Sequence, residues 1–322
     1  MKLLKNIYQN LKGKKPLQIG DSNMPNNINT VECVKSLQLP LTVVKPDDGV
    51  DYFTDFLDQI DLPLVHMDEV ESVPGPKWCI RHDVDHSLDV AVAIAKAEYE
   101  KGYKSTYFLL TPGSYAYGRN YYGEIVNNKI VHDSSLIDKC KYMEDLGHKI
   151  GLHNDLIGLS FKMRRNPGEI LESEIEYFNK HGIRLWGTAA HGTPLARELG
   201  YNNKEIFEGC KRKGVIDPRL IAYDGWSVQT HSLKLEDYGF LYEAYSLPRD
   251  SRVSESGRRW GGKLAGIQID RERLEKNFDI EIFRNYMQRL RLENDVNSLQ
   301  VMTHPEHWVV KDKLNTEIKR ER

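Results

Sequence analysis

Two aspartates separated by one residue form the most informative chemical pattern in the sequence. Asp83 and Asp85 follow the apolar run Trp78-Cys79-Ile80, which predicts a β-strand. Residues i and i+2 of a strand point to the same side, and two carboxylates on one side repel unless a cation or a proton lies between them. The pair therefore indicates a divalent-metal site, in which one carboxylate binds the metal and the other stays available as a base.

Polar side chains recur at the ends of predicted strands farther along the chain. Each has an ordinary explanation: His153 could be a hydrogen-bonded core histidine, the more frequent role of a single His, and Asp85 could cap the helix that Ser87 begins. Their repetition at equivalent places favours a site, because functional side chains of parallel α/β barrels come from the C-terminal ends of strands. The residues at these places are Asp83, Asp85, His153, His191, Asp224 and His304.

The residue types indicate a transition metal. Imidazole nitrogen suits zinc and related metals, and His153 offers such a ligand. A catalytic metal keeps a coordination position for water and lowers the pKa of that water towards about 7. His82 alternates with Asp83 along the strand, so we expect it to face the other side and to be structural.

The elements that position these residues alternate between strand and helix patterns after Pro76. Ser87 is a predicted helix cap, and Asn166, followed by a proline, is another. Further helices are predicted over 206–213 and around 283–290. Repeated strand-then-helix units predict an α/β fold with a mainly parallel sheet, and their number predicts closure into a (β/α) barrel.

Three segments, taken in order, resemble the NodB-like polysaccharide deacetylases, carbohydrate esterase family 4. The first resembles most closely a divergent branch with an R-H-D-V-D opening, often associated with bacterial surface glycans. The resemblance spans roughly residues 77–308 and leaves the first 75 residues unexplained. The segments are Arg81-His82-Asp83-Val84-Asp85, Gly147-His148-Lys149-Ile150-Gly151-Leu152-His153 and Met302-Thr303-His304-Pro305.

The resemblance implies a distorted (β/α) barrel and the metal-dependent removal of N-acetyl groups from amino sugars. It implies that Asp83 is the base and that Asp85 is a metal ligand. His153 resembles the first metal-binding histidine of the family. His304 resembles the histidine of the closing motif, which would give a proton to the departing amine. The expected cofactor is a divalent metal, with zinc favoured, and the expected partner is an amino sugar or glycan.

Two family positions depart from the pattern. The family's third motif corresponds to Ala189-Ala190-His191-Gly192-Thr193-Pro194, where the usual arginine is absent and a histidine is present. The second metal-binding histidine of the family falls on Ile157, which cannot bind a metal. In one interpretation His191 or Asp155 completes the metal shell, and His191 is preferred because one imidazole then replaces another from a neighbouring strand end. In the other interpretation the metal site is degenerate and the protein is not a hydrolase.

Substrate contacts are predicted from aromatic and polar residues near strand ends. Trp226, which follows Asp224, and Trp260 are candidates to stack on a sugar face, although a tryptophan is more often part of a core. The tyrosine-rich loop over 112–133 is long enough to be a substrate lid and is equally compatible with an exposed insertion.

Other function classes remain open on the sequence alone. A glycosyltransferase could use D-x-D to hold a metal and a nucleotide diphosphate, but the chain before Asp83 shows no convincing run of βαβ units. A non-catalytic glycan-binding protein is compatible with Ile157. Hydrolysis of an amide that is not part of a sugar is a further alternative.

Composition narrows these classes. The chain has 322 residues, of which 40% are hydrophobic, so a sizeable core is expected and global disorder is excluded. The formal net charge of -2 gives no basic surplus of the kind that nucleic-acid binders show. The four cysteines have no CxxC spacing, which argues against a disulfide framework or a zinc ribbon.

The N-terminal segment over 1–15 combines Leu3, Ile7 and Leu11 at helical spacing with several lysines. We predict a terminal helix packed on its own domain or, alternatively, peripheral contact with the inner face of a membrane. Without an apolar h-region or a run long enough to span a bilayer, a cytoplasmic location is expected. The predicted domains are an N-terminal extension over 1–75, a barrel over 76–310 and a charged tail over 311–322.

Overall fold

The structure is a computed structural model, and the described residues all lie in one compact unit, Gln38–Arg322. The predicted helices over 1–15 and 283–290 and the predicted tail over 311–322 lie outside the described residues. The described residues are 53–54, 57–58, 60–112, 119–249, 251–255, 259–264, 267–273 and 298–308.

The described elements alternate along most of the chain as predicted. The strands are β1 (Lys77–Val84), β2 (Thr106–Leu110), β3 (Arg119–Asn120), β4 (Gly123–Val126), β5 (Lys129–His132), β6 (Lys149–Asn154), β7 (Leu185–Ala190), β8 (Leu220–Tyr223), β9 (Trp226–Gln229), β10 (Ser251–Glu255), β11 (Arg259–Leu264), β12 (Ile267–Arg273) and β13 (Ser298–Thr303). The α-helices are α1 (Leu88–Glu100), α2 (Leu136–Asp145), α3 (Leu156–Met163), α4 (Pro167–Lys180) and α5 (Pro194–Glu198).

Among the described residues, the main sheet has the strand order β12-β11-β10-β13-β1-β2-β6-β7. The neighbours from β10 to β7 are all parallel, whereas β10, β11 and β12 pair in antiparallel fashion. The prediction of an α/β fold with a mainly parallel sheet is confirmed. Every residue of β1, β2 and β13 is buried, as expected for parallel strands that are covered on both faces.

The parallel part of the sheet is curled. The chain segment that includes Tyr242 and Ala244 runs beside the outer edge of β7, where the Thr188 N–H donates to Tyr242 O at 3.0 Å and the Ala244 N–H donates to Thr188 O at 2.8 Å. From Ala244, the chain reaches Ser251, at the start of β10, over a length of at most about 25 Å. If the strands from β10 to β7 and the segment beside β7 formed a flat sheet, its two edges would be about 29 Å apart. The sheet is therefore not flat, and its two edges lie closer together than in a flat sheet.

Ring contacts fill the inside of the curl. Phe108 on β2 contacts Tyr242, with ring centroids 6.3 Å apart, although β6 and β7 lie between them in the sheet. A Cβ at Gly151 would stand 2.5 Å from the Phe108 ring, and a Cβ at Gly187 would stand 2.6 Å from the Tyr242 ring. Glycine at these two positions lets the aromatic rings cross the interior.

The two predicted helix caps, Ser87 and Asn166, are confirmed, whereas one predicted helix is not. The Ser87 side chain accepts from the Val90 N–H, and the Asn166 side chain accepts from the Gly168 N–H. The predicted helix over 206–213 is wrong: the chain leaves a short 3-10 turn there, and the Glu208 N–H donates to Leu233 O at 2.8 Å. The left-handed backbone of Gly209 (φ 77°) and the pairing with a distant segment override the local helix pattern.

Part of the predicted N-terminal extension contributes to the core. Val65, Met67 and Val70 belong to the same hydrophobic cluster as Cys79 and Phe108. The chain before β1 is therefore packed on the sheet in this region. Among the described helices, none combines the length and apolar character that a membrane crossing requires.

Candidate metal centre

The C-terminal ends of four parallel strands bring the predicted residues together. Asp83 lies in β1, with Asp85 just beyond it, and His153 lies in β6. His191 directly follows β7, and His304 directly follows β13. Parallel strands end at one edge of a sheet, so residues that are far apart in sequence meet there. All of them except the half-buried His304 are buried.

Three of these side chains are arranged as ligands of a single cation. His153 Nε2 lies 3.4 Å from Asp85 Oδ1, and His191 Nε2 lies 3.7 Å from Asp85 Oδ2. The ligand atoms of the three residues all lie within 4.8 Å of one another. Tetrahedral ligands at zinc-like bond lengths stand about 3.3–3.6 Å apart. Asp85, His153 and His191 therefore fit a shared divalent metal.

The histidine rings are prepared for ligation. The His153 Nδ1–H donates to Ala189 O at 2.9 Å, so Nε2 is the nitrogen that faces the cluster. Burial lowers the pKa of His191 to about 4, with a further lowering from the neighbouring His153. His191 is consequently a neutral imidazole, which is the form that binds metals.

The position of the missing family histidine is occupied by a core residue. Ile157 lies in the first turn of α3 and is fully buried. Of the two residues considered as a replacement, His191 belongs to the metal-capable group and Asp155 does not belong to any such group among the described residues. Asp155 instead accepts a hydrogen bond from Asn203 Nδ2 at 2.8 Å, and the same amide donates to His191 O at 2.8 Å.

An arginine not singled out from the sequence binds the predicted base. Arg81 Nε and Nη2 donate to Asp83 Oδ1 and Oδ2 at 2.6 and 2.7 Å, and both side chains are buried. Burial would raise the pKa of Asp83, but the Arg81 charge holds that pKa well below its usual range. The i, i+2 rule that pairs the aspartates also puts Arg81 on their side of the strand, so the sequence did carry this signal.

A glutamate not singled out from the sequence orients the predicted acid. His304 Nδ1 lies 3.2 Å from Glu255 Oε2, and His304 Nε2 lies 3.8 Å from Asp85 Oδ2. Burial would lower the pKa of His304, but the Glu255 hydrogen bond and the Asp85 charge raise it to about 10. His304 therefore carries a proton at neutral pH.

His307 shares the same carboxylate. His307 Nδ1 lies 2.6 Å from Glu255 Oε1. Glu255, His304 and His307 also form a metal-capable group by proximity. The 2.6 Å contact is a hydrogen-bond distance, shorter than the spacing of about 3.3 Å between two ligands of one zinc ion. We therefore assign this group to hydrogen bonding around His304.

Two of the predicted sugar contacts, Asp224 and Trp226, lie on the hairpin formed by β8 and β9. Asp224 forms an ion pair with Arg164, and Trp226 Nε1–H donates to Ser160 Oγ at 2.9 Å. The side chain of Trp260, in β11, lies outside the described part of the chain. Asp224 lines a pocket of about 530 Å³ whose wall includes Asp155, just after the His153 strand. The pocket thus borders the strand end that carries one ligand of the metal-capable group.

Comparison with protein-family models, with curated proteins and with solved structures gives no significant match. The geometry supplies a metal-capable triad at one sheet edge, with the Asp83 carboxylate and the His304 imidazole beside it.

Proposed function

We propose that this protein is a metal-dependent deacetylase that removes an N-acetyl group from an amino sugar, in the biosynthesis of bacterial surface glycans. The observation that carries the proposal is the group Asp85, His153 and His191, with Asp83 and His304 beside it. Amide hydrolysis needs a polarising cation, a base and an acid, and this sheet edge has residues for each.

We favour zinc, because two imidazoles and one carboxylate are a common ligand set of catalytic zinc sites. Zinc held by these side chains would polarise the acetamide carbonyl and lower the pKa of a water molecule. His191 takes the place that the family resemblance gives to residue 157. The departure at Ile157 is thereby compensated from the neighbouring strand.

Asp83 is the proposed base. Its Oδ2 lies 3.6 Å from His153 Nε2, next to the metal-capable group. The bidentate contact with Arg81 keeps the carboxylate ionised, which is the form a base requires, and fixes its orientation. Asp83 then holds that proton while the carbonyl carbon is attacked.

His304 is the proposed acid. An amine leaves only after it has been protonated, so a group other than the base must already carry a proton. His304 does so, and Glu255 at its Nδ1 leaves Nε2 on the side of Asp85. The proton would pass from Nε2 to the departing nitrogen.

We also propose that the curled sheet is the distorted barrel that the resemblance implies. The support is the approach of the segment beside β7 to the start of β10 and the contact of Phe108 with Tyr242 across the interior. In a barrel, the strand ends that carry the triad would face a common mouth. The pocket lined by Asp155 and Asp224 would then receive part of the glycan.

The decisive experiment measures metal content and acetate release together. Zinc-loaded protein is incubated with acetamido sugars that are free, nucleotide-linked, lipid-linked or polymeric, and released acetate is quantified. We expect one zinc per chain and release from at least one linkage class. His153→Ala should lose the zinc, whereas Lys96→Ala, on the exposed face of α1, should keep it.

The outcomes separate the alternatives. Zinc binding without acetate release from any sugar would overturn the deacetylase and favour a glycan-binding protein. Binding of a nucleotide sugar without deacetylation would favour a glycosyltransferase. Acetate release that survives His153→Ala would contradict the assigned metal centre.

A further inference from the structure

One tyrosine hydroxyl bridges the ends of two central strands. Tyr121 follows β3, in the small antiparallel sheet of β3, β4 and β5. Its hydroxyl accepts from the Leu110 N–H at 2.6 Å and donates to Val84 O. Val84 and Leu110 are the last residues of β1 and β2.

The hydroxyl clamps the last step of the β1–β2 ladder. Val84 pairs with Leu109 in parallel register, so the Leu110 N–H and Val84 O face each other at the end of the ladder. The Tyr121 hydroxyl bonds to both groups. It therefore fixes the ends of β1 and β2 relative to each other.

This clamp lies beside the candidate metal centre. Asp85 directly follows Val84, and His153 pairs with Leu110 across β2 and β6. Because β2 lies between β1 and β6, the 3.4 Å contact of His153 Nε2 with Asp85 Oδ1 reaches over β2. The spacing of β1 and β2 at their ends thus enters directly into the separation of the two ligands.

Tyr121 is itself well fixed. Its neighbour Asn120 donates from Nδ2 to Leu110 O at 3.1 Å and accepts from the Tyr122 N–H at Oδ1 at 3.0 Å. Burial raises the pKa of Tyr121 well above its usual value, and the Asp85 charge raises it further. The hydroxyl therefore keeps the proton that it donates to Val84 O.

We propose that Tyr121 is a positioning residue that sets the metal affinity of the group Asp85, His153 and His191, by holding the ends of β1 and β2 at the separation that the ligands require. This proposal rests on the proposed metal-dependent function. Without the hydroxyl, the Leu110 N–H and Val84 O lose this shared partner, and the ends of β1 and β2 are fixed less firmly. Asp85, which directly follows Val84, is then held less firmly relative to His153.

The test compares Tyr121→Phe with Tyr122→Phe. Tyr122 also has a buried hydroxyl, but that hydroxyl donates to Glu174 on α4, away from the metal-capable group. Cobalt(II) binding is followed through visible absorption, and zinc affinity is obtained by competition. Tyr121→Phe should weaken both metals about tenfold to a hundredfold, the usual effect of losing a group that supports metal ligands, and should alter the cobalt spectrum. Tyr122→Phe should keep the affinity and spectrum of the wild type.

The outcomes are distinct. Wild-type affinity and spectrum in folded Tyr121→Phe would overturn the role of Tyr121 and leave the proposed function standing. No metal binding by the wild type would overturn both. If Tyr121→Phe does not fold, Asn120→Ala, which loosens the same anchor on Leu110, gives the second measurement, and wild-type affinity there would also overturn the proposal.

Discussion

Two buried polar clusters flank the strand β1, and they are built from the same kinds of side chain. The outer cluster lies between the sheet and α1, and its members are His82, Glu98, Ser105, Tyr107 and His148. The edge cluster lies at the C-terminal ends of the strands, and its members are Asp83, Asp85, His153, His191 and His304. The distances between polar atoms within each cluster distinguish a structural network from a metal-capable site.

The outer cluster is closed on itself. Glu98 accepts from Ser105 Oγ at 2.5 Å and from the Tyr107 hydroxyl at 2.7 Å, and His82 Nε2 lies 2.8 Å from its other oxygen. His148 accepts from the Ser105 N–H at 3.1 Å and donates to Ala95 O at 2.8 Å. These contacts are of hydrogen-bond length, so this network is complete without a ligand. The expectation that His82 faces away from Asp83 is confirmed.

The contacts among the side chains of the edge cluster are longer. The imidazole nitrogens of His153, His191 and His304 approach the Asp85 oxygens only to 3.4, 3.7 and 3.8 Å. These separations exceed typical hydrogen bonds, and those of His153 and His191 fit a cation shared with Asp85. Composition alone does not distinguish the two clusters, whereas these distances do.

The largest effect on activity is expected from a substitution of the proposed acid, His304. His304→Gln should lower kcat by about 100-fold to 10,000-fold, because a positioned acid contributes that much. Zinc content should stay the same, because the metal-capable triad of Asp85, His153 and His191 does not include His304. Acetate release and metal analysis on one preparation check both statements. A loss of zinc together with activity would move His304 into the ligand set.

The outer cluster should respond in stability alone. Glu98→Ala leaves the buried polar atoms of Ser105, Tyr107 and His82 without their carboxylate, and each orphaned group costs about 1–3 kcal/mol. We expect the free energy of unfolding to fall by about 3–5 kcal/mol, with zinc affinity per folded molecule unchanged. Denaturant unfolding and zinc titration measure the two quantities. A change in zinc affinity would show that the clusters are coupled.

The outer cluster also predicts a sign for the pH dependence of stability. In the folded protein, burial lowers the pKa of His148 below its ordinary value of 6.5. The unfolded chain therefore binds more protons than the folded protein as the solution becomes acidic. The stability associated with neutral His148 is present above pH 6.5 and is lost as the pH falls below it, with a slope of at most about 1.4 kcal/mol per pH unit. The unfolding free energies of the wild type and of His148→Gln, measured between pH 5 and 8, should become more alike as the pH falls. Parallel curves would contradict this.

The smallest effect is expected on the hairpin beyond both clusters. Asp224 is 76% exposed and pairs with Arg164, and an exposed ion pair contributes about 0–1 kcal/mol. Asp224→Ala should therefore leave stability nearly unchanged. If the pocket holds part of the glycan, KM should rise severalfold while kcat stays constant. An unchanged KM would place the glycan elsewhere.

Much of the edge cluster could be predicted because strand alternation and chain order are local information. Apolar runs located β1, β6, β7 and β13, and the residues at their ends followed. Glu255 could not be found this way, since it meets His304 only through the parallel pairing of β10 with β13. Tyr121 was missed for a related reason, because its hydroxyl reaches Val84 from a separate small sheet.

The sheet order has a consequence for how the molecule is made. β13 pairs with β1 across 221 residues of sequence, as the contact of His82 with Thr303 illustrates, and it is the last strand described. During synthesis, β1 and β10 each have one unpaired edge until β13 has been made. Such long-range strand pairing slows folding. The proposed acid His304 arrives on the same strand. The proposed catalytic acid and closure of the sheet centre are therefore acquired in one step, and a nascent chain that stops before β13 has neither.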